Sequence, residues 1–192
     1  IRSGLEHPNY EVLEVLSKDL EIRRYGSRLA IETTVKGGDS KNARRRAFRR
    51  LFNYISGANE PGSKIAMTAP VKTAAGAGET GAKIAMTAPV ETHTTADGYM
   101  AFTLPSQYAM AQLPSPNDQS VSLHAVPARR IAVIAFGGWA TDGRVEEKSR
   151  ELLAVLAANA IQTVGEPFLN QYNPPWTLPW NRRNEVAILV AP

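Results

Sequence analysis

No cysteine occurs among the 192 residues, so disulfides, zinc thiolates, iron–sulfur clusters and a cysteine nucleophile are excluded. Histidine is scarce. His7, His93 and His124 stand far apart, and none has the His-x-x-x-His spacing that sets two ligands on one helix face. Long apolar runs are missing too. The longest, Ile131–Phe136, has the length of a strand and falls far short of the roughly 20 residues of a membrane-spanning helix. The sequence contains no Gly-x-Ser-x-Gly, no Walker loop and no Gly-x-Gly-x-x-Gly. Its acidic residues are scattered, and Glu146, Glu147 and Glu151 fall on the exposed side of a helix. No acid–base pair stands out, and no enzymatic activity is expected.

What is present suits one domain spanning residues 1–192, large enough to hold a core without cross-links. The formal net charge is +4 and the pI about 9.5, and the excess is local: Arg44, Arg45, Arg46, Arg49 and Arg50 crowd one segment. A basic helix can serve nucleic acid, an anionic membrane surface, an acidic small ligand, or solvation alone. The chain begins at Ile1. Removal of an export signal, with a periplasmic destination, and simple trimming of a cytoplasmic chain are equal readings of that start.

Hydrophobic patterning repeats one theme. Tyr10–Leu16 and Leu20–Tyr25 are short apolar-rich segments, and Leu29–Val35 alternates as a strand does. After Gly37-Gly38, Asp39 or Ser40 caps a helix reaching about Ser56, where Gly57 stops it. Strands follow at Lys83–Thr92 and Tyr99–Leu104. A Pro-rich link, Leu113–Asp118, leads to strands at Val121–Val126 and Ile131–Phe136. Gly137-Gly138 then precedes a helix capped by Thr141 or Asp142 and reaching about Ile161, followed by strands at Phe168–Tyr172 and Glu185–Val190. Strand, strand, helix, strand, strand thus occurs twice, in half-repeats of about 5–112 and 119–192. That pattern predicts an α+β fold built from two pseudo-symmetric halves.

The second helix is a plain amphipath: Val145, Leu152, Leu153, Leu156 and Ala160 share a face with Ser149. In the first, Ala43, Ala47, Leu51 and Tyr54 form the central stripe, and Phe48, Phe52 and Ile55 widen the apolar arc. Arg45 and Arg49 lie beside the two Phe residues. Either both rings are core with arginine stems lying over them, or this edge lines a ligand groove.

Lys-Ile-Ala-Met-Thr-Ala-Pro-Val occurs at Lys64–Val71 and again, identically, at Lys83–Val90. Both copies carry a strand pattern, and Pro70 and Pro89 confine them to a strand end or edge. Met67 and Met86 suit an irregular pocket or a core gap. The first copy is expected to follow the first helix directly, and the second to lead the hairpin into Tyr99–Leu104. Near the C-terminus, Tyr172, Trp176 and Trp180 stand among prolines, as an aromatic wall for a flat ligand or as a plug in the barrel end.

Glu21-Ile22-Arg23-Arg24-Tyr25, the doubled octapeptide, Asn173-Pro174-Pro175 and Asn181-Arg182-Arg183-Asn184-Glu185-Val186 together resemble the SOUL/haem-binding-protein family, in family order and over almost the whole chain. The doubled motif is similar to bacterial, exported members. The resemblance implies a distorted antiparallel β-barrel with two outer helices. It also implies non-catalytic binding of haem or another tetrapyrrole in a shallow apolar cleft beside the first helix. Arg24 stands where relatives of one branch carry a proposed axial His, so no strong axial protein ligand is implied. Arg45 matches a position that holds a propionate in the other branch. Asn53 and Thr177 replace two further basic positions, and Arg49, Arg50 or Arg182 can substitute. The expected ligand site is therefore Arg45, Phe48, Arg49, Phe52, Met67, Met86 and Trp176, with no metal ligand and no nucleic-acid partner. The alternatives are a module for another amphipathic small molecule, similar to effector-binding domains with a buried carboxylate, and an interaction protein that docks through its basic helix.

Overall fold

The computed structural model describes residues 6–35, 41–60, 84, 87–93, 98–173 and 177–192. Along the chain run β1 (Tyr10–Ser17), β2 (Leu20–Tyr25), β3 (Arg28–Thr34), α1 (Lys41–Ile55), β4 (Asn59–Glu60), β5 (Val90–Thr92) and β6 (Tyr99–Thr103). After them come β7 (Ser115–Pro116), β8 (Val121–Val126), β9 (Arg129–Gly137), α2 (Asp142–Ala158), β10 (Thr163–Gln171) and β11 (Arg183–Val190). The short β4 and β7 pair with each other, and the other nine strands make one curled antiparallel sheet in the order β1-β2-β9-β11-β10-β5-β6-β3-β8. This is an α+β fold with a distorted barrel.

Exchanging β2-β3-α1-β5-β6 with β8-β9-α2-β10-β11 reverses the strand order from β2 to β8 and leaves it otherwise unchanged. The two halves are thus pseudo-symmetric about the β5–β10 seam. β1 is extra, an edge strand carrying Glu11 and Glu14, charges that discourage further pairing.

Alternation in the strands serves two faces. Leu20 and Ile22 of β2 turn to the outer face with Ala132, Ile134 and Phe136 of β9 and Val186 and Ile188 of β11, where Leu152 and Leu156 of α2 cover them. Both leucines are 0% exposed, and each such burial contributes roughly 1.5–3 kcal/mol. The pseudo-equivalent patch, Ile31, Met100 and Phe102 of β3 and β6, is covered by Ala43, Ala47, Leu51 and Tyr54 of α1. Their i, i+4, i+8, i+11 spacing keeps a single stripe against the sheet. Tyr54 also donates its hydroxyl to Pro114 O at 2.9 Å, anchoring the link between the halves. Burial pushes the Tyr54 hydroxyl up to about 12.

Local departures from the sequence reading have physical causes. α2 begins as expected at the Thr141 cap, whose Oγ1 accepts from Arg144 N. It stops at Ala158 because Ala160 adopts φ 54°, so Ala160 leaves the apolar face assigned to it. Leu153 is 37% exposed, so that face is narrower than its pattern. Of the strand expected around Lys83–Thr92, the described residues show Val90–Thr92, which begins just after Pro89, a residue with no N–H for a ladder. That short strand does lead the hairpin into β6, pairing Glu91 with Ala101. Lys64–Val71 lies outside the described residues. Trp180, offered as a barrel plug, is 76% exposed, whereas Tyr172 is buried.

Candidate ligand-binding site

Along α1, Arg45, Phe48, Arg49 and Phe52 follow i, i+3, i+4, i+7 spacing and so share one edge of the helix. Phe48 is half-buried and meets Phe102 of β6 edge-on, ring centroids 5.3 Å apart. Phe52 stacks on Phe48 at 6.0 Å and 13° between planes and remains 44% exposed. The aromatic edge is therefore rooted in the core at one ring and open at the other.

Four of the five arginines of α1 separate by partner. Arg44 bonds Asp142 of α2 at 3.1 Å through both terminal nitrogens, and Arg50 lies 3.8 Å from Asp118. These two hold the helix to its surroundings. Arg45 and Arg49 are exposed and make no hydrogen bond or ion pair among the described residues. Of the other expected site residues, Met67, Met86 and Trp176 lie outside the described residues.

The inner face of the curled sheet carries chemistry that the sequence reading did not nominate. Glu185 of β11 is 0% exposed and takes both terminal nitrogens of Arg23 at 3.0 Å, with further bonds from Arg183 and the Tyr172 hydroxyl. Burial alone raises its carboxyl, but the Arg23 and Arg183 guanidiniums and these hydrogen bonds outweigh it and hold the group below the usual value. One strand further, past Asn170 on β10, Glu91 of β5 receives Arg129 at 3.2 Å, Arg28 at 3.6 Å and His93 Nε2 at 2.9 Å. Burial again opposes ionisation, and His93 and Arg129 again prevail, lowering the carboxyl. Both deep carboxylates are thus neutralised by guanidiniums, and neither offers free negative charge to a cationic ligand.

Sequence alternation held a signal for this face. Glu21, Arg23 and Tyr25 alternate with Leu20 and Ile22, so a strand buried on both sides had to lodge charge inside. What no local pattern shows is the curl that brings β9 and β3 side chains to one residue of β5.

The histidines are committed elsewhere. His93 is stacked between Tyr99 at 3.9 Å and Phe168 at 4.6 Å. His124 lies 3.7 Å from Glu32, and His7 packs 5.6 Å from the Tyr172 ring. Among the described residues no group of three or more His, Asp or Glu side chains could hold a metal ion. No helix there is long and apolar enough to cross a membrane.

Comparison with known proteins agrees with this architecture. The chain is 25% identical over 166 residues to Heme-binding protein 1 of Sus scrofa, covering 86% of this chain and 80% of that one. It is 25% identical over 186 residues to Heme-binding protein 1 of Xenopus tropicalis, covering 95% and 91%. Against Heme-binding protein 2 of Mus musculus the identity is 27% over 195 residues, covering 97% and 86%. Among solved structures, the EcmrR C-terminal domain superposes with a TM-score of 0.61 over 95% of this chain and 98% of that one. A hydrolase from Listeria innocua superposes at 0.56 over 91% and 93%. At 11% and 10% identity these two speak for the fold alone. The model of the SOUL heme-binding protein family matches residues 5–189, and on that match the chain belongs to this family.

Proposed function

We propose that this protein binds haem or a related tetrapyrrole on the outer edge of α1, as a binding protein rather than a catalyst. The family and the relatives named for haem binding support the ligand class. The observation that carries the place is the Phe48–Phe52 stack, open at Phe52 and flanked by two arginines without partners among the described residues. A flat apolar ring system extends such a stack. Its carboxylates pair with Arg45 and Arg49, each contact contributing roughly 1.5–3 kcal/mol where partly desolvated.

These residues fit a ring and its propionates and do not fit strong axial ligation. The three histidines lie off α1, at positions 7, 93 and 124, and His93 already bonds Glu91. When bound, the group would supply its own iron chemistry, while the protein binds, orients and shields its face. Met67, Met86 and Trp176 are proposed to complete the lining.

The test is a haem titration followed by the Soret band. Wild type should saturate at micromolar haem. Phe52→Ala and the pair Arg45→Ala with Arg49→Ala should each weaken binding about tenfold or more, the effect of losing about 1.4 kcal/mol. Absence of a saturable shift, or unchanged affinity in both variants, overturns the proposal.

A further inference from the structure

A second cleft, of about 350 Å³, is walled mostly by rings. Tyr10 of β1, Tyr25 of β2 and Tyr172 after β10 line it, and His7 and Asn9 of the N-terminal segment and Arg183 of β11 complete it. No residue of α1 takes part.

Strand register puts these side chains together. Tyr10 stands opposite Tyr25, and Tyr25 opposite Arg129 of β9. Arg183 stands opposite Gly137 of the same β9. Positions 129 and 137 are an even number of residues apart, so Tyr25 and Arg183 leave the sheet on one face, the inner one. The Tyr172 N–H donates to Arg183 O at 3.3 Å, which sets Tyr172 beside Arg183. The side chains then meet. The Tyr10 and Tyr25 ring centroids are 5.2 Å apart, the His7 and Tyr172 centroids 5.6 Å, and the Arg183 guanidinium lies 4.9 Å over the Tyr172 ring. A hydrogen bond between Arg183 and the Tyr10 hydroxyl joins the two sides of the cleft.

Charge here is one-sided. The Arg183 side chain is 50% exposed, whereas its partner Glu185 is 0% exposed and is also held by Arg23. No acidic side chain lines the cleft among the described residues. Nε and Nη2 of Arg183 serve Glu185 at 3.1 and 2.5 Å, and Tyr10 takes a further donor. A guanidinium carries about five N–H groups, so donors remain on this accessible cation. Burial pushes the hydroxyls of Tyr25 and Tyr172 up from their ordinary value, so neither sets a phenolate against an incoming anion.

From this we infer that the cleft is a second binding site, for a planar aromatic monocarboxylate. The tyrosine and histidine rings offer stacked and edge contacts to a flat apolar body. The Arg183 guanidinium receives the carboxylate through charge-assisted hydrogen bonds. The volume, near the lower end of small-molecule sites, suits one or two fused rings. Capture here is independent of the tetrapyrrole edge.

Isothermal titration of the full chain with 2-naphthoate and with 2-naphthamide, at fixed ionic strength, tests this. The acid should bind saturably and at least tenfold tighter than the neutral amide. Arg183→Met should bring the acid down to the level of the amide, and Arg45→Ala with Arg49→Ala should leave both affinities unchanged. If Arg183→Met fails to fold, Asn9→Trp decides: it fills the cleft from an exposed position whose side chain makes no hydrogen bond among the described residues, and should abolish binding of both compounds. The inference is overturned by absence of saturable binding, by equal affinity for acid and amide, by an unchanged affinity in a folded Arg183→Met, or by naphthoate binding that survives Asn9→Trp. Loss of naphthoate binding in Arg45→Ala with Arg49→Ala also overturns it, by placing the carboxylate on α1 instead.

Discussion

Arg28 and Arg129 are the first residues of β3 and β9, strands that exchange places under the pseudo-symmetry, and both reach the carboxylate of Glu91, at 3.6 and 3.2 Å. A single negative charge thus ties the start of one half to the start of the other. Glu91→Gln would leave two guanidiniums facing each other with only a neutral acceptor between them. Removing one partner of a buried ion pair costs about 3–5 kcal/mol, and a loss of that order is expected from urea denaturation.

Acid should unfold the protein through the same two deep carboxylates. Glu91 and Glu185 are both held below the ordinary value of 4.5 in the folded state. Their stabilising effect is therefore complete above that value and drains away as pH falls through the lower folded values. Unfolding free energy measured from pH 7 to pH 3 should be level at first and then decline below about pH 4.5. In Glu185→Gln and Glu91→Gln the acid decline should be shallower, from a lower starting stability.

Arg23 and Glu185 are a closed pair, with side chains 3% and 0% exposed. Arg23→Met strands Glu185 and should cost about 3–5 kcal/mol. Replacing both, as Arg23→Met with Glu185→Leu, should recover much of that loss, because Arg183 is half exposed and can turn to solvent. Equal stability of the single and double variants in denaturant would refute this account of the interior.

The two phenylalanines of α1 should part ways. Phe48 is wedged against Phe102; Phe48→Ala should cost roughly 2 kcal/mol, about half the penalty for a fully buried ring. Phe52→Ala should leave thermal stability within about 0.5 kcal/mol while weakening haem binding. A thermal melt beside a Soret titration separates the two effects.

Much of this architecture was legible in the sequence because its signals are local. Short apolar-rich runs place β2 and β8 with the observed boundaries, and Thr141, one of the two cap candidates, marks the start of α2. The broad arc of α1 included Phe52, but whether that ring is buried or open the pattern alone left undecided; it is 44% exposed. The inner ion pairs were not legible, because Glu91 meets Arg129 only after β5 and β9 are brought together by the curl of a sheet in which two strands separate them. Charge in a strand reads as a solvated face unless its distant partners are known. The end of α2 was missed for another reason: nothing in Asn159-Ala160 marks a left-handed turn as Gly would.

The reversed strand order has a bearing on how the chain can be divided. β2 bonds to β9 and β3 to β8, so each half lends its leading strand to the sheet of the other, and β5 meets β10 in between. Cut within 113–118, neither fragment would possess a finished sheet, and each would present bare hydrogen-bonding rims shaped for its sibling. Two such pieces mixed in solution should reassemble slowly and with second-order kinetics.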